Sequence, residues 1–215
     1  MKSQTLNKII AFLLVIFSLN FVYWECSSTS LNAQNSKKIV NPCWSFEDVD
    51  KSDFVCNMLL NLKSEWIIIP SSNFNPDKFI SRAELLWIIL KSAQIPAIYY
   101  PDNSYEDINE KDWWTPAVTT AKKLWFSSAQ NKKFNPLKSI TRAEALQIIM
   151  KIKGVKLNFD KNQTYEDINE KDWWAPAVTT AKKLWYISTK NKKFNPNSPI
   201  SRHEAVIIIF NVFYK

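Results

Sequence analysis

YEDINEKDWWTPAVTTAKKLW occupies residues 105–125, and YEDINEKDWWAPAVTTAKKLW occupies residues 165–185. The two copies differ only at Thr115 and Ala175. Self-similarity at such a spacing marks a supersecondary unit that cannot bury its apolar face alone and must stack on neighbouring copies. A third copy stands upstream, where FEDVDKSDF at 46–54 aligns with YEDINEKDW at 105–113 and 165–173. Later in each unit FNPDKFISRAEL begins at Phe74, FNPLKSITRAEA at Phe134 and FNPNSPISRHEA at Phe194, a period of 59 to 60 residues. The units are therefore 46–104, 105–164 and 165–215.

Each unit reads as helix, loop, helix. In the second, Asp112 is placed to cap a helix whose first turn accepts Pro116, with Val118, Ala121 and Leu124 on one face at the helical period. A polar loop ends in Phe-Asn-Pro, which holds the chain extended before proline. Thr141 and Glu144 then form a capping box, the hydroxyl accepting from the backbone of residue 144 while the carboxylate reaches back to the cap. Ser81 with Glu84 and Ser201 with Glu204 repeat it. The helices that follow, containing LLWIIL, ALQIIMKI and AVIIIFNVF, are strongly apolar, and the last is apolar nearly all round, so it must be enclosed. The expected architecture is all-α, with three central and three outer helices folding as one body.

Ahead of the units, Lys2 and Lys8 precede the apolar run Ile9–Tyr23, the pattern of a secretory leader rather than a membrane span, which needs about 20 residues. Cleavage after Ala33 fits the small-residue rule, with Ser28 as competitor; a retained N-terminal membrane anchor is the alternative. Cys26 lacks the small and aliphatic residues that precede a lipid-attachment cysteine. Removing 1–33 takes away Lys2, Lys8 and Glu25, so the net charge of +8 becomes about +7 and favours anionic partners. Residues 34–45 read as a linker. Cys43 and Cys56 remain, and outside the cytoplasm two thiols without further ligands point to a disulfide rather than a metal site.

The ordered series of aromatic-Glu-Asp, Asp-Trp, helix, Phe-Asn-Pro and Ile-Thr-Arg-Ala-Glu resembles the S-layer homology domain in its usual set of three. The resemblance covers about four fifths of the chain. It implies a pseudo-threefold spindle of helices that binds cell-wall polysaccharide non-covalently, typically a peptidoglycan-linked secondary wall polymer that is anionic and often pyruvylated. It also implies grooves between neighbouring repeats, centred on the motif arginine, which is Arg82, Arg142 and Arg202 here. Each stands one residue past a helix cap, where free N–H groups and the positive dipole end would add to a bidentate guanidinium in holding an acid. The alternative is a solvated charge or a salt bridge to an aspartate of the neighbouring repeat. Trp113 and Trp173 are candidates for stacking on a sugar face, with anchoring in the core as the alternative. Phe54 replaces the tryptophan in the first unit and His203 the motif alanine in the third, so the grooves flanked by these units are expected to differ.

No catalytic set emerges. Glu106–Asp107 and Glu166–Asp167 read as capping and surface groups. Asp160–Lys171 fails as a calcium loop, having Tyr165 and Lys171 where glycine and glutamate are required. No metal or cofactor is expected, nor nucleic acid as partner, since the pairs Lys132–Lys133 and Lys192–Lys193 read as solvated. The expected function is non-enzymatic anchoring at the bacterial cell surface through anionic wall polysaccharide. The alternative is a structural surface-layer component acting through other surface-layer proteins.

Tryptophan raises a separate question. Trp66, Trp125 and Trp185 each follow the first helix of a unit, at the position where a left-handed residue ends a helix and glycine dominates. The chain has one glycine, Gly154, against roughly 15 at average usage, and ten tryptophans. Both anomalies disappear together if the gene's organism reads UGA as glycine and the translation renders it as tryptophan. Trp24, Trp44 and Trp87 are further members of that class, whereas Trp113 and Trp173 match a family tryptophan. The alternative is a lineage poor in glycine that packs a large aromatic at the corner.

Overall fold

A ring of backbone hydrogen bonds lies at the centre of the fold. Ile80 N–H donates to the carbonyl of Ile200 (3.1 Å), Ile200 N–H to Ile140 (3.1 Å), and Ile140 N–H to Ile80 (3.3 Å). All three isoleucines are fully buried. Each precedes the cap of an inner helix, so the three inner helices start side by side. The computed structural model describes residues 42–43, 46–68, 71–101, 105–127 and 132–215. The leader, Trp24, Trp44 and the anchor alternative lie outside the described residues, as does most of the linker.

The outer helices are α1 (Phe54–Ser64), α3 (Thr115–Lys123) and α5 (Ala175–Lys183), and the inner ones α2 (Arg82–Ser92), α4 (Arg142–Lys153) and α6 (Arg202–Phe213). A short antiparallel ribbon of β1 (Pro42–Cys43) and β2 (Phe46–Asp50) precedes α1, the one addition to the all-α plan among the described residues. The inner helices pack on one another, and each outer helix packs on the inner helix of the preceding unit: α3 on α2, α5 on α4, and α1 on α6. The last pairing closes the circle. The units form one body whose core runs continuously through all three. In α6 Ala205, Val206, Ile208, Ile209 and Val212 are buried, and even Ile207 and Phe213 pack against the core at half exposure.

The outer helices also hold the chain that leads into them. Thr119 and Thr120 have buried hydroxyls that accept from the N–H groups of Tyr100 (3.1 Å) and Ile98 (2.8 Å). Thr179 and Thr180 do the same for Asp160 (3.2 Å) and Asn158 (3.1 Å). The first unit has Leu60 and Asn61 at the matching places. There the incoming segment is held covalently, by a disulfide between Cys43 in β1 and Cys56 in α1.

Two local expectations need correction. Helix α3 begins at Thr115 with no side-chain cap; the Asp112 carboxylate instead accepts from Asn109 N–H (3.3 Å), because Trp113 and Trp114 form a turn ahead of the helix. At the matching position in the first unit Asp53 does cap its helix, accepting from Val55 N–H (3.0 Å). Val118 and Ala121 are buried, but Leu124 falls beyond the last helical turn and is exposed.

The corner tryptophans adopt left-handed backbone conformations, with φ of 57° at Trp66, 62° at Trp125 and 61° at Trp185. Their side chains are 70%, 85% and 73% exposed, so little packing offsets the steric cost of that conformation. Trp87 differs, since it lies inside α2 with helical backbone, half-buried, its ring edge-to-face with Trp113 at 6.0 Å. That position has no need of glycine. Changing Trp66, Trp125 and Trp185 to glycine should stabilise the fold by about 1 kcal/mol at each site, seen as a rise of several degrees in the thermal midpoint. A lower midpoint would show that the aromatic itself holds the corner.

Candidate functional site

The site is built on the Phe-Asn peptide that opens each loop-to-helix turn. In the second unit both N–H groups, of Phe134 and Asn135, donate to the Asp107 carboxylate (2.8 and 2.7 Å). Asp48 holds Phe74 and Asn75 likewise (2.7 and 2.6 Å), and Asp167 holds Phe194 and Asn195 (2.8 and 2.7 Å). Asn75, Asn135 and Asn195 are left-handed, a conformation asparagine tolerates better than most residues. Asp107 and Asp167, expected only as capping or surface groups, are with Asp48 the fasteners of the loop. Their sequence signal is that an aromatic-Glu-Asp accompanies every Phe-Asn-Pro. Their neighbours Glu106 and Glu166 are exposed, and Glu106 meets Lys132 at 3.6 Å.

The other side of the same peptide is taken by the motif arginine of the preceding unit. Arg82 Nε donates to Phe134 C=O (2.9 Å), Arg142 to Phe194 (2.7 Å) and Arg202 to Phe74 (2.8 Å). Each guanidinium lies over the phenyl ring of that residue at 4.9 to 5.0 Å. Each also reaches the capping-box glutamate of the neighbouring unit: Arg82 to Glu144 at 3.5 Å, Arg142 to Glu204 at 2.5 Å and Arg202 to Glu84 at 3.2 Å. The neighbour's acid is thus a glutamate, not an aspartate. The arginine side chains retain 20%, 17% and 16% of their exposure, and Nη2 has no partner among the described residues.

The inner helix starts are less open than the sequence implied. Arg82 N–H donates to Lys138 C=O (3.0 Å), Ala83 N–H to Pro136 (3.0 Å) and Glu84 N–H to the Ser81 hydroxyl (3.2 Å), while Ser81 N–H donates to Glu84 (3.0 Å). The same set recurs at Thr141–Glu144 and Ser201–Glu204. Every N-terminal donor is used inside the ring, because the next unit's loop is folded over it. An anion here must be held by side chains.

Two equivalent grooves open beside these clasps. The first, of about 380 Å³, is lined by Phe74, Glu84, Trp87, Ile88, Trp113 and Arg202. The second, of about 200 Å³, carries Phe134, Glu144, Gln147, Ile148, Trp173 and Arg82 at the matching positions. Each thus draws on all three units. Trp113 and Trp173 are 50% and 57% exposed and line these grooves, although each also stands edge-to-face on the following tryptophan, at 5.4 and 5.1 Å. Phe54, at the third equivalent place, is 58% exposed and faces His203 with ring centroids 6.2 Å apart. His203 Nε2 lies 3.4 Å from Asp53. Both departures from the repeat pattern therefore meet at one seam, between the third and first units.

The S-layer homology domain model matches residues 104–146 and 164–206. Both stretches are S-layer homology domains. The matched stretches are the second and third units, and the first shares their Asp-Phe-Asn fastener, arginine clasp and capping box. Among curated proteins the chain is similar to an amylopullulanase of Thermoanaerobacterium thermosulfurigenes, 26% identical over 79% of this chain and 10% of the relative. It is similar to the surface-layer 125 kDa protein of Lysinibacillus sphaericus, 28% identical over 64% of this chain and 12% of the relative. It also resembles the exoglucanase XynX of Acetivibrio thermocellus, 29% identical over 51% of this chain and 10% of the relative. The chain spans about a tenth of the length of these relatives, so their enzymatic names describe proteins most of whose length has no counterpart here. S-layer homology domains are binding modules that anchor surface proteins to the cell wall. Among the described residues no helix is long and apolar enough to cross a membrane, and no group of acids, histidines or cysteines is placed to hold a metal.

The clasp makes two measurable demands. Asp167→Ala removes a charged acceptor from the N–H groups of Phe194, part-buried, and Asn195, exposed, and should cost about 2 kcal/mol, read as a lower urea midpoint at unchanged slope. Burial pushes the Tyr165 phenol up to about 12, against the pull of Arg142, and burial with a hydrogen bond to Glu65 does the same for Tyr214. An acid whose folded pKa is raised loses its stabilising contribution as pH climbs from the unfolded value of about 10 towards the folded one. Stability should therefore fall between about pH 10 and 12, less steeply in Tyr165→Phe, as followed by denaturant titration across that range.

Proposed function

We propose that the chain is an exported, non-catalytic module that binds anionic cell-wall polysaccharide, including pyruvylated polymer, in the grooves between its units. By that binding it anchors itself non-covalently at the bacterial cell surface. The observation that carries this reading is the pairing in each groove of a half-exposed tryptophan with an arginine whose Nη2 has no partner among the described residues. A sugar presents an apolar C–H face and a polar edge, and an aromatic plane beside a guanidinium suits both. An acidic substituent adds charge complementarity with Arg82, Arg142 and Arg202, and the basic net charge favours its approach.

The similarity to a surface-layer protein supports a second reading, assembly with other surface-layer proteins with the glycan incidental. Sedimentation of the mature chain with purified wall separates the two. Retention should be lost when acidic groups are stripped from the wall polymer, and should fall at least tenfold in Trp113→Ala with Trp173→Ala. Those variants spare the arginine clasp, which Arg82→Ala, Arg142→Ala and Arg202→Ala would also break. Undiminished retention on stripped wall would favour protein assembly instead.

A further inference from the structure

Three tryptophans take no part in the grooves. Trp66, Trp125 and Trp185 share one repeat position, hold left-handed backbone and are the most exposed large apolar side chains among the described residues. A bulky residue in that conformation persists where something offsets its strain, and packing within the body does not.

All three stand at one end of the molecule. Lys91, in the last turn of α2, donates to Trp66 C=O (2.7 Å), and Asn211, in the last turn of α6, donates through Nδ2 to the carbonyl of Tyr186, which follows Trp185 (3.2 Å). Phe126, which follows Trp125, shares a cleft with Lys151 in the last turn of α4. The corners therefore gather where the inner helices stop. At about 1.5 Å per residue, inner helices of 11 and 12 residues put that end roughly 17 Å from the isoleucine ring at their starts.

The same end is basic. Residues 60–66, 89–95, 120–126, 149–156, 180–186 and 211–215 together hold ten lysines and a single acid, Glu65. Glu65 accepts from the Tyr214 hydroxyl (2.9 Å), and the other two units have Leu124 and Leu184 at its repeat position, both exposed. Asp160 reaches this end through Lys183, at 3.4 Å. Lysine still far outnumbers carboxylate here, so the complementary partner is anionic.

Three corners on a closed circle of three units define a plane, and a flat partner meets all of them at once. Tryptophan together with lysine is the combination a bilayer surface favours. The indole takes the boundary between headgroups and acyl chains, and the ammonium groups take the lipid phosphates.

We propose that the end of the body at which the inner helices stop docks on an anionic lipid bilayer, with Trp66, Trp125 and Trp185 entering the headgroup layer and the surrounding lysines meeting lipid phosphate. This site is independent of the glycan reading, which uses Trp113, Trp173 and the three motif arginines. One chain would then hold wall polymer in its grooves and membrane at one end.

Flotation of the mature chain with vesicles of phosphatidylglycerol and phosphatidylcholine tests it. The chain should float with these vesicles, should stay behind with phosphatidylcholine alone, and should be released as salt rises. Changing the three residues together, Trp66→Gly, Trp125→Gly and Trp185→Gly, should lower the affinity about tenfold or more. Glycine suits a left-handed corner, so a thermal melt of this variant should show no loss of fold, and its retention on purified wall should match the parent's. Equal flotation of parent and variant, or no flotation of the parent, would overturn the proposal and leave the wall-anchoring reading standing. Wall retention lost in the glycine variant while flotation persists would assign this end to the glycan instead. Peptides of the chain from its own host should carry tryptophan at all three positions; a mass corresponding to glycine there would also overturn the proposal.

Discussion

One peptide group per unit, between phenylalanine and asparagine, governs the rest of the molecule. Its N–H side is held by an aspartate of its own unit and its carbonyl by an arginine of the preceding unit, which also reaches the glutamate that starts the local inner helix. Hydrogen bonds to charged partners on both faces fix a left-handed asparagine turn that no apolar contact would select. The turn aims the loop carbonyls at the N-terminus of the preceding inner helix, satisfying donors that would otherwise need water. Loop order, helix start and contact between units thus depend on one set of charges.

The periodic part of this architecture was legible in the residues. Capping boxes at Ser81, Thr141 and Ser201, the apolar inner helices, the three-unit count and the Cys43–Cys56 pairing all follow from local chemistry or from repetition. The clasp was not legible, because its partners are 52 residues or more apart and pairing by charge leaves no local pattern. Asp107 looked like a surface acid since nothing nearby in sequence shows that the N–H groups of Phe134 and Asn135 need it. The helix N-termini looked free for the same reason, the donors being taken by carbonyls of another unit. Asp112 misled differently: an acid three residues before the helix would be a good cap only if the chain entered extended and the helix began sooner, and here two tryptophans turn it first.

Repetition has also allowed the units to diverge where the clasp does not constrain them. The incoming chain is tied by threonine hydroxyls in two units and by a disulfide in the first. At the seam between the third and first units Phe54 stands where the other units have tryptophan and His203 where they have alanine, and the two rings meet each other. Side chains at the repeat positions of Trp87 and Gln147 are equally unconstrained by the clasp. The framework preserves three equivalent positions, and their lining has drifted towards different chemistry.

Helix α1 leans on α6, and Arg202 reaches back to Phe74 and Glu84 across more than a hundred residues. A circle joined head to tail gives its earliest helix no inner partner until its latest one exists. During synthesis α1 therefore has no inner helix to pack on until Arg202–Phe213 has been made.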